Sequence, residues 1–299
     1  MTDIGGVIDQ YLLLGRSIKV KGHARPDLDS IASGMLLEMY LREKGCEASF
    51  IIPDTPNEHA IKVLTELGID IDLYRGDINN CDDIILVDHH DHIGKGNVIG
   101  YIDHHPDSRE YKGINGINLP VGSCAVMILR YLEKEGIALT SFHYELALLS
   151  LYTDTRALRT SRTTGSEREW ARTVLSKYGF DEEKIKRMSI ALTDLSLPVE
   201  ILSMNDYKLI EVNGRRINTT QLIADNVEPQ GLSALVSYMS TCIRRGDAYM
   251  WMLSISVPRL NMTRVLRIYG DSVLSDKYDR LLSRAKDIIP MIENELAQN

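Results

Sequence analysis

Short apolar runs of strand length alternate with longer segments of helical periodicity in the first two thirds of the chain. The first run includes Ile18 and Val20, and the segment after it places Ile31, Met35 and Met39 on one helical stripe. The same pair of patterns then recurs. A β-α-β-α order of this kind predicts a parallel sheet with helices on its faces.

Further elements of this first domain follow from the same periodicity. Each is bounded by glycine, proline or a capping residue, which are the usual signals for ends of helices and strands. We predict strands at 47–52, 83–87 and 98–102, and helices at 4–14, 57–67, 122–136, 143–158, 164–178 and 182–192. The glycine- and asparagine-rich stretch between residues 107 and 120 is predicted to be a loop.

Beyond residue 206 the pattern changes to that of an α+β module. Asn213-Gly214 between two apolar runs is a strong hairpin signal. A helix at 232–243, strands at 249–257 and 264–269, and a helix from about residue 277 to the end are predicted to complete it. The predicted domains are therefore 1–192, a linker at 193–206 and a smaller C-terminal domain at 207–299.

Composition narrows the class of protein. The net charge of −8 argues against a protein that binds duplex DNA, because such a protein needs a basic face. No apolar run is long enough to span a membrane, and the amino terminus lacks the basic segment of a signal peptide. The four cysteines form no C-x-x-C pair, which is typical of reduced thiols, so we expect a cytoplasmic protein.

The turn after the first strand carries His23, Asp27 and Asp29. Two carboxylates and an imidazole are costly to bury without a positive partner, and a bound cation would balance them. The turn also lies at the carboxyl end of a parallel strand, where ligands bind in sheets of this type. The alternative is that Asp29 or Ser30 only caps the following helix.

Two later strands end in the same tripeptide. Asp88-His89-His90 follows one strand and Asp103-His104-His105 follows the next, so both place acids and imidazoles at the same predicted edge of the sheet. Asp154 interrupts a hydrophobic helix, where an unpaired carboxylate would be unfavourable. It either pairs with Arg156 or Arg159 or faces a metal.

These motifs, in this order, resemble those of the DHH phosphoesterase superfamily. The pattern His23-x-x-Pro-Asp27-x-Asp29-Ser, a strand ending in Asp88, Asp103-His104-His105 and Thr-Asp154-Thr matches its four motifs across about residues 18–165. The superfamily includes RecJ-type exonucleases, oligoribonucleases, cyclic-dinucleotide phosphodiesterases and family II inorganic pyrophosphatases. The resemblance implies an α/β fold, with a parallel-sheet DHH domain and a smaller α+β domain across a cleft.

The resemblance also implies a ligand set for two cations. His23, Asp27 and Asp88 would hold one, and a second group with Asp88 as the shared ligand would hold the other: Asp29, Asp88, His104 and Asp154. Two cations roughly 3.5–4 Å apart can clamp a phosphoryl group. The mixed ligands favour Mn²⁺, with Co²⁺, Fe²⁺ or Mg²⁺ as alternatives.

The remaining roles are assigned in the same way. Asp103 would orient a histidine from behind, and His105 would contact the phosphate or the leaving oxygen and act with Asp88 as a catalytic residue. The reverse assignment of the two Asp-His-His copies stays open, as do the roles of His89, His90 and His92. Arg159, Arg264 and Arg267 are the candidates for binding substrate phosphate.

The C-terminal half departs from the superfamily pattern. It contains neither the Gly-Gly-Gly-His-type loop of the nuclease branches nor a convincing Ser-Arg-Lys motif of the pyrophosphatases, for which Ser283-Arg284-Ala285-Lys286 is a weak candidate. The leading hypothesis is a manganese-dependent phosphoesterase acting on a nucleotide, a short oligonucleotide or a cyclic dinucleotide. The alternatives are a pyrophosphatase, a phosphatase of another metabolite, and a non-catalytic regulator that binds metal or nucleotide. A short single-stranded nucleic acid and a homodimer remain open as partners.

Overall fold

The protein is described here by a computed structural model of residues 17–89, 94–105, 114–160, 162–190, 192–193, 195–205, 207–224, 229–246 and 248–297. The chain divides into two compact units. The first comprises Met1–Leu158 and Arg162–Ser189, and the second comprises Arg159–Ser161 and Ile190–Asn299. The predicted helix at 4–14, His90 and His92 lie outside the described residues.

The first unit contains a parallel five-stranded sheet. Its strands are numbered in chain order and lie side by side in the order β2-β1-β3-β4-β5, all in parallel register. They are β1 (Ile18–Lys21), β2 (Ala48–Ile51), β3 (Asp83–Val87), β4 (Asn97–Asp103) and β5 (Asn115–Asn118). The order reverses between β1 and β3, and ligands bind beyond the carboxyl ends of the strands at such a switch point.

Helices cover this sheet. They are α1 (Leu28–Glu43), α2 (Glu58–Glu66), α3 (Cys124–Lys134), α4 (Ser141–Asp154), α5 (Gly165–Tyr178) and α6 (Glu182–Ser189). Ile85 and Val87 of β3 join the large core that these helices form, whereas Ile84 and Leu86 point to the opposite face and form a smaller cluster. Since both faces of β3 are buried, its sequence is continuously apolar rather than alternating.

The second unit contains a mixed sheet in the order β10-β9-β8-β7-β6. Its strands are β6 (Lys208–Val212), β7 (Arg215–Ile223), β8 (Met250–Val257), β9 (Met262–Tyr269) and β10 (Ser272–Tyr278), and its helices are α7 (Val199–Ser203), α8 (Pro229–Arg245) and α9 (Ile289–Ala297). Only β7 and β8 pair in parallel, and α8 connects them. Leu235 and Met239 of α8 pack in one core cluster, and Ile292 and Leu296 of α9 pack in another.

The fold confirms the predicted class, and its differences from the prediction have physical causes. β5 lies within the predicted loop, where Gly116 pairs with Tyr101 and leaves room for its ring: a Cβ at Gly116 would lie 2.0 Å from that ring. β10 occupies part of the predicted C-terminal helix, which begins only at Ile289 after a π-helical turn. Helix α7 lies within the predicted linker.

In the part of the chain that the structure describes, no helix is long and apolar enough to cross a membrane.

Candidate metal centre

The switch point of the parallel sheet brings two of the predicted metal ligands, His23 and Asp88, together. His23 follows β1 and Asp88 follows β3, and these strands are direct neighbours. The Nε2 atom of His23 lies 3.5 Å from Oδ2 of Asp88. Residues 65 positions apart in the sequence therefore meet because two parallel strands end at one edge.

Asp88 lies at the centre of the cluster in a conformation that is unusual for aspartate. Its φ of 62° is in the left-handed region, which costs a non-glycine residue of order 1–3 kcal/mol and is concentrated at functional sites. The side chain is 1% exposed, and no donor meets Oδ1 in hydrogen-bond geometry, although Nε2 of His104 lies 3.0 Å from it. A buried carboxylate oxygen of this kind is the expected position for a cation.

One group of candidate ligands is formed by His23, Asp27 and Asp88. The Nε2 atom of His23 lies 3.6 Å from Oδ2 of Asp27. The other carboxylate oxygen of Asp27 accepts a hydrogen bond from the backbone N–H of Ser30 at 3.0 Å, so Asp27 also caps α1. The capping interaction fixes this carboxylate while one of its oxygens still faces the histidine.

A second group of candidate ligands is formed by Asp29, His104 and Asp154. The Nε2 atom of His104 lies 3.4 Å from Oδ2 of Asp29, 3.5 Å from Oδ2 of Asp154 and 3.0 Å from Oδ1 of Asp88. The Nδ1 atom of His104 lies 3.1 Å from the carbonyl oxygen of Val121. That acceptor requires the proton on Nδ1, which leaves Nε2 as the ligand atom.

Asp29 is held rigidly by the start of α3. Its carboxylate accepts hydrogen bonds from the backbone N–H groups of Cys124 and Ala125 at 2.8 and 2.9 Å, from the hydroxyl of Ser123 at 2.8 Å, and from the hydroxyl of Ser150. The alternative interpretation proposed that Asp29 caps its own helix. These contacts show that it does not. It binds the positive end of a different helix and presents the outer side of Oδ2 to His104.

The pKa values show that negative charge dominates the cluster. Burial alone would lower the pKa of His23, but the neighbouring Asp27 and Asp88 outweigh it and raise the pKa to about 11. Burial would also lower the pKa of His104, but Asp88 and Asp29 outweigh it and raise the pKa to about 9. Burial and the carboxylates of Asp29 and Asp27 raise the pKa of Asp154 well above its usual value.

These observations fit a pair of divalent cations. The cluster places four carboxylates around two imidazoles, with one carboxylate oxygen that lacks a hydrogen-bond partner. One cation would be held by His23, Asp27 and Asp88, and the other by Asp29, Asp88, His104 and Asp154. The mixture of imidazole and carboxylate ligands suits Mn²⁺ or Fe²⁺ better than Mg²⁺, which prefers oxygen ligands.

Comparison with known protein families agrees with the resemblance that the motifs in this part of the chain indicated. A sequence profile of the DHH family, N-terminal domain, matches residues 17–152, a range that contains five of the six predicted metal ligands. Residues 17–152 form a DHH domain.

Curated relatives match about two thirds of the chain. A protein of Streptococcus mutans assigned as a manganese-dependent inorganic pyrophosphatase is 27% identical over 218 residues, which cover 69% of this chain and 70% of that protein. A protein of Deinococcus radiodurans with the same assignment is 26% identical over 204 residues, which cover 64% of this chain and 65% of that protein. The predicted class, a manganese-dependent hydrolase of phosphoric esters or anhydrides, is confirmed at this level of detail.

Solved structures show the same fold. A structure assigned as a family II inorganic pyrophosphatase from Methanococcus jannaschii matches with a TM-score of 0.74 and 21% identity, over 93% of this chain and 98% of that one. An exopolyphosphatase-related protein from Bacteroides fragilis matches with a TM-score of 0.50 and 13% identity, over 100% of this chain and 99% of that one. The prediction of a DHH fold is confirmed.

Behind the ligands of the DHH domain, Asp103 contacts the histidine that was predicted to act on substrate. Its Oδ1 atom accepts hydrogen bonds from the backbone N–H groups of His104 and His105 at 2.7 and 3.2 Å and lies 2.8 Å from Nδ1 of His105. The Nε2 atom of His105 is therefore the ring nitrogen available for a substrate oxygen, as its predicted role requires. Nδ1 of His105 also lies 3.8 Å from Asp88, so this residue is close to the metal ligands.

His89, from the first Asp-His-His copy, packs beside the cluster without joining it. Its Nδ1 atom lies 3.0 Å from the carbonyl oxygen of Val87, and its ring meets that of His23 edge to face at 6.3 Å between centroids. Burial lowers its pKa to about 4, which keeps the ring neutral. The assignment that gives Asp88 and His104 the ligand roles matches this arrangement, because Asp88 and His104 lie in the ligand groups and His89 does not.

The arginines that were predicted to bind substrate lie in the second unit. Arg264 is exposed, with Nε donating to the hydroxyl of Ser275 at 3.0 Å. Arg267 forms ion pairs with Asp276 and Glu295. Arg159 is exposed and donates to the carbonyl oxygen of Pro258. Their role in binding phosphate stays a prediction.

The sequence patterns missed a cation of the first unit. Arg162 places its Nη2 atom 2.9 and 3.1 Å from the two ring nitrogens of His104. It lies in a polar loop after Asp154 that had no periodicity to mark it. A basic residue eight positions after a ligand aspartate was the only available signal.

Proposed function

We propose that this protein hydrolyses inorganic pyrophosphate with bound Mn²⁺. The observation that carries the proposal is the arrangement of two candidate cation sites around one shared carboxylate, Asp88, at the edge of the sheet. An anhydride of two phosphates is a compact anion whose charge two adjoining cations can neutralise. The names of the relatives from Streptococcus mutans and Deinococcus radiodurans support the same substrate.

Different residues of the chain have different roles in the proposed reaction. The buried carboxylates of Asp29 and Asp88 fix the ligand geometry, because hydrogen bonds from the start of α3 hold the first and the backbone holds the second in a restricted conformation. Cations held there would neutralise charge on the phosphoryl oxygens and lower the pKa of an attacking water. His105, whose Nδ1 atom lies against Asp103, would donate or accept a proton at a substrate oxygen through Nε2.

A nucleotide, a short oligonucleotide or a cyclic dinucleotide is the alternative substrate class. It was the leading hypothesis from the sequence, and the lack of a convincing Ser-Arg-Lys motif in the C-terminal domain favours keeping it in the test. The metal centre itself serves either chemistry, since both require a phosphoryl group between two cations. The difference must come from residues that bind the rest of the substrate.

The experiment measures phosphate release from pyrophosphate, tripolyphosphate and p-nitrophenyl phosphate, and uses chromatography to measure the nucleotide products formed from a 5′-phosphorylated dinucleotide and a cyclic dinucleotide. Each is tested with Mn²⁺ and with Mg²⁺. We expect kcat/KM for pyrophosphate with Mn²⁺ to exceed that for every other compound by at least about tenfold, a difference of roughly 1.4 kcal/mol. A higher kcat/KM for either dinucleotide would reject the proposal in favour of the alternative.

The His105→Ala variant is the internal control for catalysis. It should retain Mn²⁺ binding, because the groups His23–Asp27–Asp88 and Asp29–His104–Asp154 stay complete without His105, which belongs only to a third group with Asp88 and His104. Turnover should fall by roughly 10²- to 10⁴-fold, the usual contribution of a general acid or base. Unchanged phosphate release in this variant would remove His105 from the mechanism, and no turnover of any compound by the wild type would favour a metal-binding regulator.

A further inference from the structure

Arg162 is a cation beside the candidate metal ligands, a position from which a bound divalent cation would repel it. One guanidinium nitrogen lies almost equally far from both ring nitrogens of His104, at 2.9 and 3.1 Å. Such a nitrogen cannot lie along either in-plane direction, so it lies over the face of the imidazole. The Nδ1 atom of His104 is already bonded to Val121, and Nε2 faces three carboxylates.

The guanidinium is also incompletely bonded. Its Nε atom is buried without a hydrogen-bond partner, and among the described residues no carboxylate lies within ion-pair distance of Arg162. Next to it, the hydroxyl of Thr163 is buried without a hydrogen-bond partner as well. Buried polar atoms of a native protein are normally paired, so unpaired donors at adjacent positions beside a charged cluster indicate a missing hydrogen-bonding partner.

The segment before Arg162 is conformationally restricted. Arg156, Ala157 and Leu158 have φ values of 50°, 55° and 64°, and a run of non-glycine residues in the left-handed region is unfavourable. Side-chain hydrogen bonds hold it: Leu158 donates its N–H to the hydroxyl of Thr155 at 3.1 Å, and its carbonyl accepts from Arg168. On the other side of Arg162, Thr164 caps α5 together with Glu167. Arg162 therefore lies between a restricted turn that ends at Leu158 and the capped start of α5.

From this geometry we propose that Arg162, in the first unit, binds a phosphoryl oxygen of the substrate. The inference rests on the proposed function, because it assigns a substrate contact at the same site. With divalent cations held by His104 and its carboxylates, the guanidinium of Arg162 would be repelled from the ring face. The planar fork of Arg162 then bonds a phosphoryl oxygen, which is the acceptor that arginine matches best, beside the cations.

The competing role is structural, in which Arg162 stacks on His104 and orients it as a ligand. The two roles predict opposite effects on metal binding. If Arg162 orients His104, its removal weakens Mn²⁺ binding. If it binds substrate, its removal takes a positive charge away from the metal ligands, so Mn²⁺ binds equally well or more tightly while phosphate binds more weakly.

The test compares wild type, Arg162→Met, Arg162→Lys and Arg172→Met. Arg172 is an exposed arginine on α5 and serves as the matched control for loss of one positive charge. Titration calorimetry measures the affinity for Mn²⁺ and then the affinity of the Mn²⁺-loaded protein for inorganic phosphate. Steady-state kinetics measure KM and kcat for pyrophosphate.

We expect Arg162→Met to weaken phosphate binding and raise KM by roughly 10- to 100-fold, the range for one hydrogen bond between charged groups. Its Mn²⁺ affinity should be equal or higher, Arg162→Lys should lie between it and the wild type, and Arg172→Met should match the wild type. A loss of Mn²⁺ affinity with unchanged phosphate affinity overturns the proposal. Because phosphate binding is measured directly, the result holds even if pyrophosphate is not hydrolysed; Arg162→Lys, which retains the charge and the apolar stem, decides the case if Arg162→Met does not fold.

Discussion

The two units of this protein differ in whether their buried and half-buried charges are balanced by charges of opposite sign. In the first, Asp29, Asp88 and Asp154 converge on His104, so negative charge is in excess and the pKa of His104 rises. In the second, Arg267 lies between the carboxylates of Asp276 and Glu295. The first arrangement requires cations from outside the chain, whereas the second contains both signs of charge already.

This difference in charge balance indicates where in the protein a ligand is needed. A cluster with unbalanced charge destabilises the fold until a ligand binds, and a protein keeps such a cluster only where the ligand is needed. The ion pairs of Arg267 stabilise the second unit without any ligand. For Arg267 to bind substrate phosphate, as the sequence suggested, it would have to leave both of its carboxylate partners.

The largest effect should come from removing the carboxylate that both cation groups share. Asp88→Ala should lower turnover by about a thousand-fold or more, because charge stabilisation from both cations is lost together. The number of bound Mn²⁺ ions, measured by titration calorimetry, should fall as well. Asp72→Ala is the matched control, since Asp72 is an exposed aspartate of the same unit whose side chain pairs with Arg75. Full activity in Asp88→Ala would show that the unbalanced charge has another purpose.

Mn²⁺ should stabilise one unit and not the other. The chain has two tryptophans, Trp170 in α5 of the first unit and Trp251 in β8 of the second, so each single-tryptophan variant follows one unit. At a free Mn²⁺ concentration of 100 Kd, the transition of Trp170 should gain about 2.7 kcal/mol of stability for each independent site. Trp251 fluorescence should show a smaller shift in Tm than Trp170 fluorescence does. Equal shifts for both probes would mean that the two units unfold together or that both bind the metal.

The same contrast explains what the sequence could and could not predict. His23, Asp88 and His104 each follow a strand, and the carboxyl ends of parallel strands meet at one edge, so local patterns were sufficient to bring these residues together. The contacts of Asp29 with Ser123 and Ser150 join residues 94 and 121 positions apart, and they depend on how α1 packs against α3 and α4. No periodicity records such packing.

Other features were invisible for a different reason. β5 has a composition typical of a loop, and it becomes a strand because the edge of β4 offers its backbone partners. Arg267 looked like a free phosphate ligand because its partner Glu295 lies 28 positions away on the terminal helix. In each case tertiary contacts overrode the local preference.

The ion pairs of the second unit give an effect of intermediate size. Arg267→Met should lower the stability of that unit by about 1–2 kcal/mol, because two carboxylates lose one shared partner that is partly exposed to solvent. Urea unfolding followed by Trp251 measures this loss. Glu295→Gln is the matched variant and should lose less, since Asp276 still pairs with Arg267. The KM for pyrophosphate in Arg267→Met then decides whether this arginine also binds substrate: a large rise in KM would contradict a purely structural role.

The smallest expected effect is a pH dependence confined to the first unit, which contains all eight histidines of the chain within its first 143 residues. His59 is half-buried, its Nε2 atom lies 2.8 Å from the carbonyl oxygen of Met188, and burial lowers its pKa. A histidine with a lowered pKa contributes stability that is fully present above the unfolded value of about 6.5 and is lost as the pH falls through the folded value. This contribution changes by at most about 1.4 kcal/mol per pH unit.

The metal-free ligands act in the opposite direction. The raised pKa values of His23 and His104, about 11 and about 9, give stability that is present below pH 6.5 and declines as the pH rises toward those values. The wild-type profile of stability against pH therefore contains contributions of both signs, and only the difference between wild type and His59→Gln isolates the contribution of His59.

The test is urea unfolding followed by Trp170 without metal. The stability of His59→Gln relative to wild type should increase as the pH falls from 7.5 to 5. If the difference is constant over that range, His59 titrates normally and its burial carries no electrostatic cost. If Trp251 reports the same change, the two units are coupled in unfolding, and the contrast between them is one of charge and not of independent stability.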